Sequence, residues 1–166
     1  MNETAALIER RFTPGQISFL KKLPLEGWQA LFAEAARKSG GKMSFTPDEW
    51  VKINKTPDGI SKEVGRNLAG YCGAACWLYA AVKNLGAKEE HALRYYEDAE
   101  HITVITPSGS EIDVTAPQHA FTGSGNFKKA KNIRRLGFTE IEENAKTMRR
   151  FGQFAEDFAG IMQDVR

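Results

Sequence analysis

Between Arg66 and Lys83 the chain carries no charged residue, and the segment LAGYCGAACWLYAAVKNLG (68–86), which spans most of that interval, reads from Gly73 as a helix with no charged side. A helix that is apolar all round cannot lie on a surface, so this one has to be buried. Gly86 is its predicted end. With 166 residues, the chain is long enough for one domain with a real core around such an element. Two cysteines, Cys72 and Cys76, sit four apart at the start of the segment. On one helix their Cβ vectors run side by side, which suits free thiols better than a disulfide.

The residues before this segment read as helices broken by proline and glycine: ETAALIERRF, then a segment opened by Pro14-Gly15, then LEGWQALFAEAARKSGG. Trp28, Leu31, Phe32 and Ala35 recur at helical spacing in the last. Thr46-Pro47-Asp48-Glu49 is a capping box that predicts a helix from Pro47, and Thr56-Pro57-Asp58-Gly59 is a turn. After the apolar segment, AKEEHALRYYEDA reads as another helix, which puts His91 on a polar surface. HITVIT (101–106) and EIDVT (111–115) flank Pro107-Ser108-Gly109-Ser110 and predict a β-hairpin. KMSF (42–45) and FTGSG (121–125) are weaker strand candidates. Thr139 to Glu142 is a second capping box, and the apolar residues from Ile141 to Val165 predict one long helix to the C-terminus, bent at Gly152.

The class expected from these elements is α+β in a single domain, 1–166. A helical region spans 1–66, the chemistry-bearing motifs lie within 67–120, and a C-terminal helix covers 139–166. Apolar residues make up 42% and charged residues 27% of the chain, and no apolar run is long enough for a membrane span. The N-terminus lacks the basic start and apolar middle of a cleavable signal, which points to a cytoplasmic protein or one secreted by another route. A net charge of +2 does not imply nucleic acid. One local run, FKKAKNIRRLG (127–137), holds five basic residues and no acid. It reads as a solvated helix face, or as a contact surface for an acidic partner or phospholipid headgroups.

A thiol in the first turn of a helix is chemically distinct, because unpaired N–H groups and the helix dipole favour the thiolate. Cys72, between glycines at the expected helix start, suits that activation better than Cys76, one turn in. A thiolate also needs a base and a group that orients the base. His101 at the head of the first hairpin strand and Asp113 in the second can supply both. A turn centred near Pro107 sets residues 101 and 113 opposite each other, with Cβ atoms roughly 4.5–5.5 Å apart. Backbone N–H groups of the nucleophile's turn, with Asn67 or Gln118, are candidates to stabilise an oxyanion. His119 is an alternative base.

Cys76-Trp77-Leu78-Tyr79-Ala80-Ala81-Val82 resembles the Cys-Trp run heading the central helix of papains and transglutaminases. Gly70-Tyr71-Cys72-Gly73, then His101, then Ile112-Asp113-Val114-Thr115-Ala116-Pro117-Gln118 resemble the papain-fold domains of bacterial toxins and effectors related to the dermonecrotic-toxin C-terminal domain. The likeness spans residues 68–120. His119 departs from it, standing where those domains have phenylalanine. The resemblance implies a papain-like core and a Cys-His-Asp hydrolase that deamidates glutamine in a target protein. It implies a protein substrate, with an immunity or chaperone protein as a further partner, and no cofactor. A cysteine protease, a transglutaminase and a peptidoglycan amidase would use the same groups. Readings without catalysis also stand: the cysteines as core filler in a binding module that uses the basic run and the C-terminal helix, or a zinc site from Cys72, Cys76 and His101 or His119.

Overall fold

In the computed structural model, the described residues are 3–38, 71–116, 126–143 and 145–164. The helix expected at Pro47, the turn at 56–59, the strand candidates KMSF and FTGSG, and Asn67, Gln118 and His119 lie outside them. Three helices lead the chain: α1 (Glu3–Arg11), α2 (Pro14–Lys22) and α3 (Leu25–Lys38). The apolar segment forms α4 (Cys72–Asn84). Strands β1 (Ala92–Tyr96), β2 (His101–Ile105), β3 (Glu111–Ile112) and β4 (Ile133–Leu136) follow, then α5 (Phe138–Glu143) and α6 (Ala145–Ile161). The protein is thus an α+β domain with N-terminal helices, a cysteine-bearing helix, a small open antiparallel sheet in the order β3-β2-β1-β4, and a C-terminal helix. No helix among the described residues is long and apolar enough to cross a membrane.

Every residue of α4 from Gly73 to Val82 is buried. The sheet covers it through β2 and β1, and α1, α2, α5 and α6 cover it elsewhere. Aromatic side chains fill the space between α3, α4 and α6. Trp28 stacks on Phe158 at 6.0 Å and meets Tyr79 edge-on at 5.1 Å, and Phe32 contacts both Phe154 and Phe158. These phenylalanines are fully enclosed, so this stretch of the C-terminal helix faces its own core.

Local chemistry sets the helix ends. Thr13 caps α2, accepting from the Gln16 backbone N–H while the Gln16 side chain accepts from Thr13, with Pro14 in the first turn. Gln16 also donates to the Met162 carbonyl at 2.8 Å and so ties α2 to the C-terminal end. The ends of α2 and α4 cap each other: Lys83 Nζ donates to the Lys21 carbonyl, and Lys21 Nζ donates to that of Leu85.

Three expectations are corrected. AKEEHALRYYEDA is not a helix: Ala92–Tyr96 is the central strand β1, and Glu97–Ala99 is a 3₁₀ turn. Its RYY triplet alternates between sheet faces, and the Asn84 side chain pairs with both backbone groups of His91, fixing the entry into the strand. The basic run is not a helix face either. Phe127–Lys129 is a 3₁₀ turn and Ile133–Leu136 is β4, whose entry Asp98 caps by accepting from Lys131 and Asn132. Finally, the cap of the C-terminal helical region is displaced; residue 144, between α5 and α6, lies outside the described residues. α5 starts after Gly137, whose N–H donates to Glu140 at 3.1 Å, so Gly137 rather than Thr139 holds the cap position. Phe158→Ala should cost about 3–5 kcal/mol in urea unfolding, because its ring closes the contact among α1, α3 and α6.

Candidate active site

α4 begins at Cys72, and the side chain of its N-cap residue Tyr71 makes no capping hydrogen bond to the first turn. The Cys72 thiol is partly exposed there, with the Glu100 carbonyl 3.9 Å from its sulfur. Glu100 ends the 3₁₀ turn in the left-handed region, at φ 49°, and no other described non-glycine residue has positive φ. This reversal directs the chain into β2, and the next residue is His101.

The hairpin turn is centred on Ser108, not Pro107. Thr106 N–H donates to the Ser110 carbonyl at 2.8 Å across a three-residue loop, with Gly109 at φ 91°. Val104 therefore pairs with Ile112 and Ile105 with Glu111. Continued in that register, residue 113 falls opposite 103, two places from the expected partner. An offset of two keeps a side chain on the same face of the sheet. Asp113 is one residue beyond β3, and its Oδ1 lies 3.0 Å from His101 Nε2 as a diagonal neighbour.

The His101 side chain is only 5% exposed and that of Asp113 17%. Phe127 lies against the imidazole at a centroid distance of 4.5 Å, and Tyr96, paired with His101 across the sheet, meets Phe127 edge-on. Burial disfavours the charged ring, but the hydrogen bonds of Asp113 and of the Cys72 thiol, and the charges of both, outweigh it and raise its pKa to about 9. His101 thus lies between Asp113 and Cys72. With Nε2 bound to a carboxylate, which only accepts, Nδ1 is the nitrogen left for the thiol.

Cys76 differs from Cys72. It is fully buried, its sulfur lies 3.3 Å from the Ile102 carbonyl, and it accepts the Val114 backbone N–H. Burial pushes its pKa well up, and Cys72 and Asp113 add to the effect. Trp77, next to it, is buried and donates from its indole to Glu142, which also accepts from Thr4. Among the described residues no group of three or more His, Cys, Asp and Glu side chains is set to hold a metal ion.

Sequence reasoning missed the groups around this cluster. Glu111 accepts from Tyr96 and Thr103 and faces Arg94 and Lys128. These partners outweigh its burial and lower its pKa. Alternation along EIDVT could have signalled that Glu111 and Asp113 share a face. Phe127 carried no signal once the basic run was read as a helix. Two clefts of about 710 and 620 Å³ open at the other end of α4, lined among others by Glu9 and Leu85. They lie roughly 18 Å from Cys72 along the helix and take no residue from the cluster.

Comparison with protein-family models, with curated proteins and with solved structures finds no match for the chain.

The raised pKa of His101 fixes the direction of a pH effect. The protonated ring is favoured by folding, so its stabilising contribution is complete below the ordinary value of 6.5 and is lost as pH rises through about 9. Titration of the His101 ring by NMR should give a midpoint near 9, and Asp113→Asn should move it towards 6.5 and flatten the decline of stability over that interval.

Proposed function

We propose that the protein is a thiol hydrolase or acyl-transfer enzyme with a papain-like core, in which Cys72 is the nucleophile, His101 the base and Asp113 its orienting partner. The observation that carries this reading is the enclosed imidazole held between the Asp113 carboxylate at 3.0 Å and a thiol in the first turn of a helix. Of the two cysteines, Cys72 is the nucleophile because it is accessible and beside His101, whereas Cys76 is sealed in the core with a raised pKa.

The reaction follows from these positions. With a pKa of about 9 the ring is the favoured holder of the one proton that it shares with Cys72, and Asp113 stabilises that imidazolium beside the thiolate. The thiolate attacks a carbonyl carbon, and first-turn N–H groups of α4 receive the developing oxyanion. His101 returns the proton to the departing nitrogen as the thioester forms. Water, deprotonated by His101, then releases the acid. The substrate best supported by the resemblance over residues 68–120 is a glutamine carboxamide in a target protein. That reaction releases ammonia and leaves glutamate, as expected of a bacterial effector or toxin domain. Peptide hydrolysis, peptidoglycan amide cleavage and transamidation need the same three groups.

Iodoacetamide at neutral pH should modify Cys72 in the folded protein, and Cys76 only after denaturation, as read by peptide mapping. Incubation with glutamine-containing proteins should produce the mass change of amide-to-acid conversion. Cys72→Ala should abolish it, and His101→Ala should slow it by about 10²–10⁴-fold. Folded protein in which Cys72 alkylates no faster than a free peptide thiol would overturn the reading.

A further inference from the structure

Cys76 has no role in the proposed chemistry, yet its sulfur occupies a specific place in the backbone. Thr106 and Ser110 form a hydrogen-bonded pair at the hairpin turn, so in an antiparallel ladder the next such pairs are Val104 with Ile112 and then Ile102 with Val114. The first of these is present in the sheet. At the second, strand pairing has ended. Instead the Cys76 thiol lies 3.3 Å from the Ile102 carbonyl and receives the Val114 N–H. A side chain from α4 thus stands in for one of the two hydrogen bonds of that pair, the one from Val114 N–H to the Ile102 carbonyl. Val114 is fully buried and Ile102 partly so, which makes an unpaired backbone group there unfavourable.

The consequence falls on the site. By strand alternation His101, Thr103 and Glu111 lie on one face of the sheet, whereas Leu93, Val104 and Leu136 on the other join the core around α4. Asp113 shares the face of His101, and Cys72 is on α4. A hairpin zipped through Val114 would bring residue 114 opposite Ile102 and leave the imidazole on the far side of a closed ladder. Where the strands diverge around the sulfur, His101 meets both Asp113 and Cys72.

We propose that Cys76 is a positioning residue: its thiol replaces one rung of the β2–β3 ladder, holds the two strands apart at Ile102 and Val114, and thereby sets His101 between Asp113 and Cys72. This inference rests on the reading of Cys72, His101 and Asp113 as a thiol active site, and it assigns the second cysteine the geometry of that site rather than its chemistry.

Three substitutions separate hydrogen bonding from volume. Cys76→Val fills the space without a donor or acceptor, Cys76→Ala vacates it, and Cys76→Ser keeps both functions. The apolar variants should slow iodoacetamide modification of Cys72 by about ten- to a hundredfold and move the His101 NMR midpoint from about 9 towards 6.5. Cys76→Ser should keep both near wild type. A folded Val or Ala variant with wild-type values, or a folded Ser variant that loses them, overturns the proposal. The wild-type protein gives a check that needs no variant: backbone NOEs should show no direct pairing of Ile102 with Val114, and a continuous ladder there overturns the proposal even where the variants fail to fold. If wild-type Cys72 proves unreactive while the broken ladder and the His101 midpoint near 9 are observed, the enzyme reading fails and the positioning role of Cys76 stands.

Discussion

The burial of α4 on every side is the constraint from which the rest of the structure follows. Ala74, Ala75, Ala80 and Ala81 let neighbouring backbones come close, and Trp77, Leu78 and Val82 fill what remains. A helix enclosed in this way needs cover all round, which is why helices and a sheet share one core in a chain of this size. Both of its ends leave backbone groups without a partner in the helix: the last carbonyls meet Lys21 and the clefts beside Leu85, and the first-turn N–H groups lie at the rim. Cys72 lies at the N-terminal end and is partly exposed, while everything from Gly73 to Val82 is inside.

The outer face of the sheet has its own organisation. Glu111 and Asp113 project from one short segment onto one face and do different work. Glu111 binds Tyr96 and Thr103 and faces cations from β1 and from the 3₁₀ turn at Phe127. Lys128 in that turn follows Phe127, whose ring covers His101. The network of Glu111 thus helps hold the aromatic lid over the imidazole. Shielding from water strengthens the attraction between His101 and Asp113, because opposite charges interact more strongly at low dielectric.

Much of this arrangement is legible in the sequence, and the exceptions have identifiable causes. The buried helix, the hairpin and the α+β class follow from unbroken apolarity, from β-branched residues flanking a proline–glycine turn, and from their order. The meeting of His101 with Asp113 follows from alternation, and it survives a wrong register because the displacement was two residues and not one. Strands β1 and β4 were hidden for a common reason. Arg94, Tyr95 and the pair Arg134 and Arg135 spend their polarity on ion pairs, ring contacts and the sheet rim, so charge patterning resembled a solvated helix. The cover provided by Phe127 depends on a turn that only the tertiary structure defines.

The spacing of the two cysteines shows how helix geometry divides a pair of identical groups. Four residues make about one turn, so both sulfurs point to the same side, towards β2. One turn of height is enough to change everything else. At the lower position the sulfur meets the Glu100 carbonyl at the rim, next to an imidazole that can take its proton. At the upper position it meets the Ile102 carbonyl inside the sheet, where burial keeps it a neutral thiol able to donate and accept at once. A sulfur serves at that inner position because it is large enough to hold neighbouring strands apart, yet apolar enough to sit in a core without a strict demand for partners. Sequence spacing alone cannot separate the two roles. The contacts at the start of β2 separate them, since the alternate carbonyls of Glu100 and Ile102 pass from the rim of the domain into its interior.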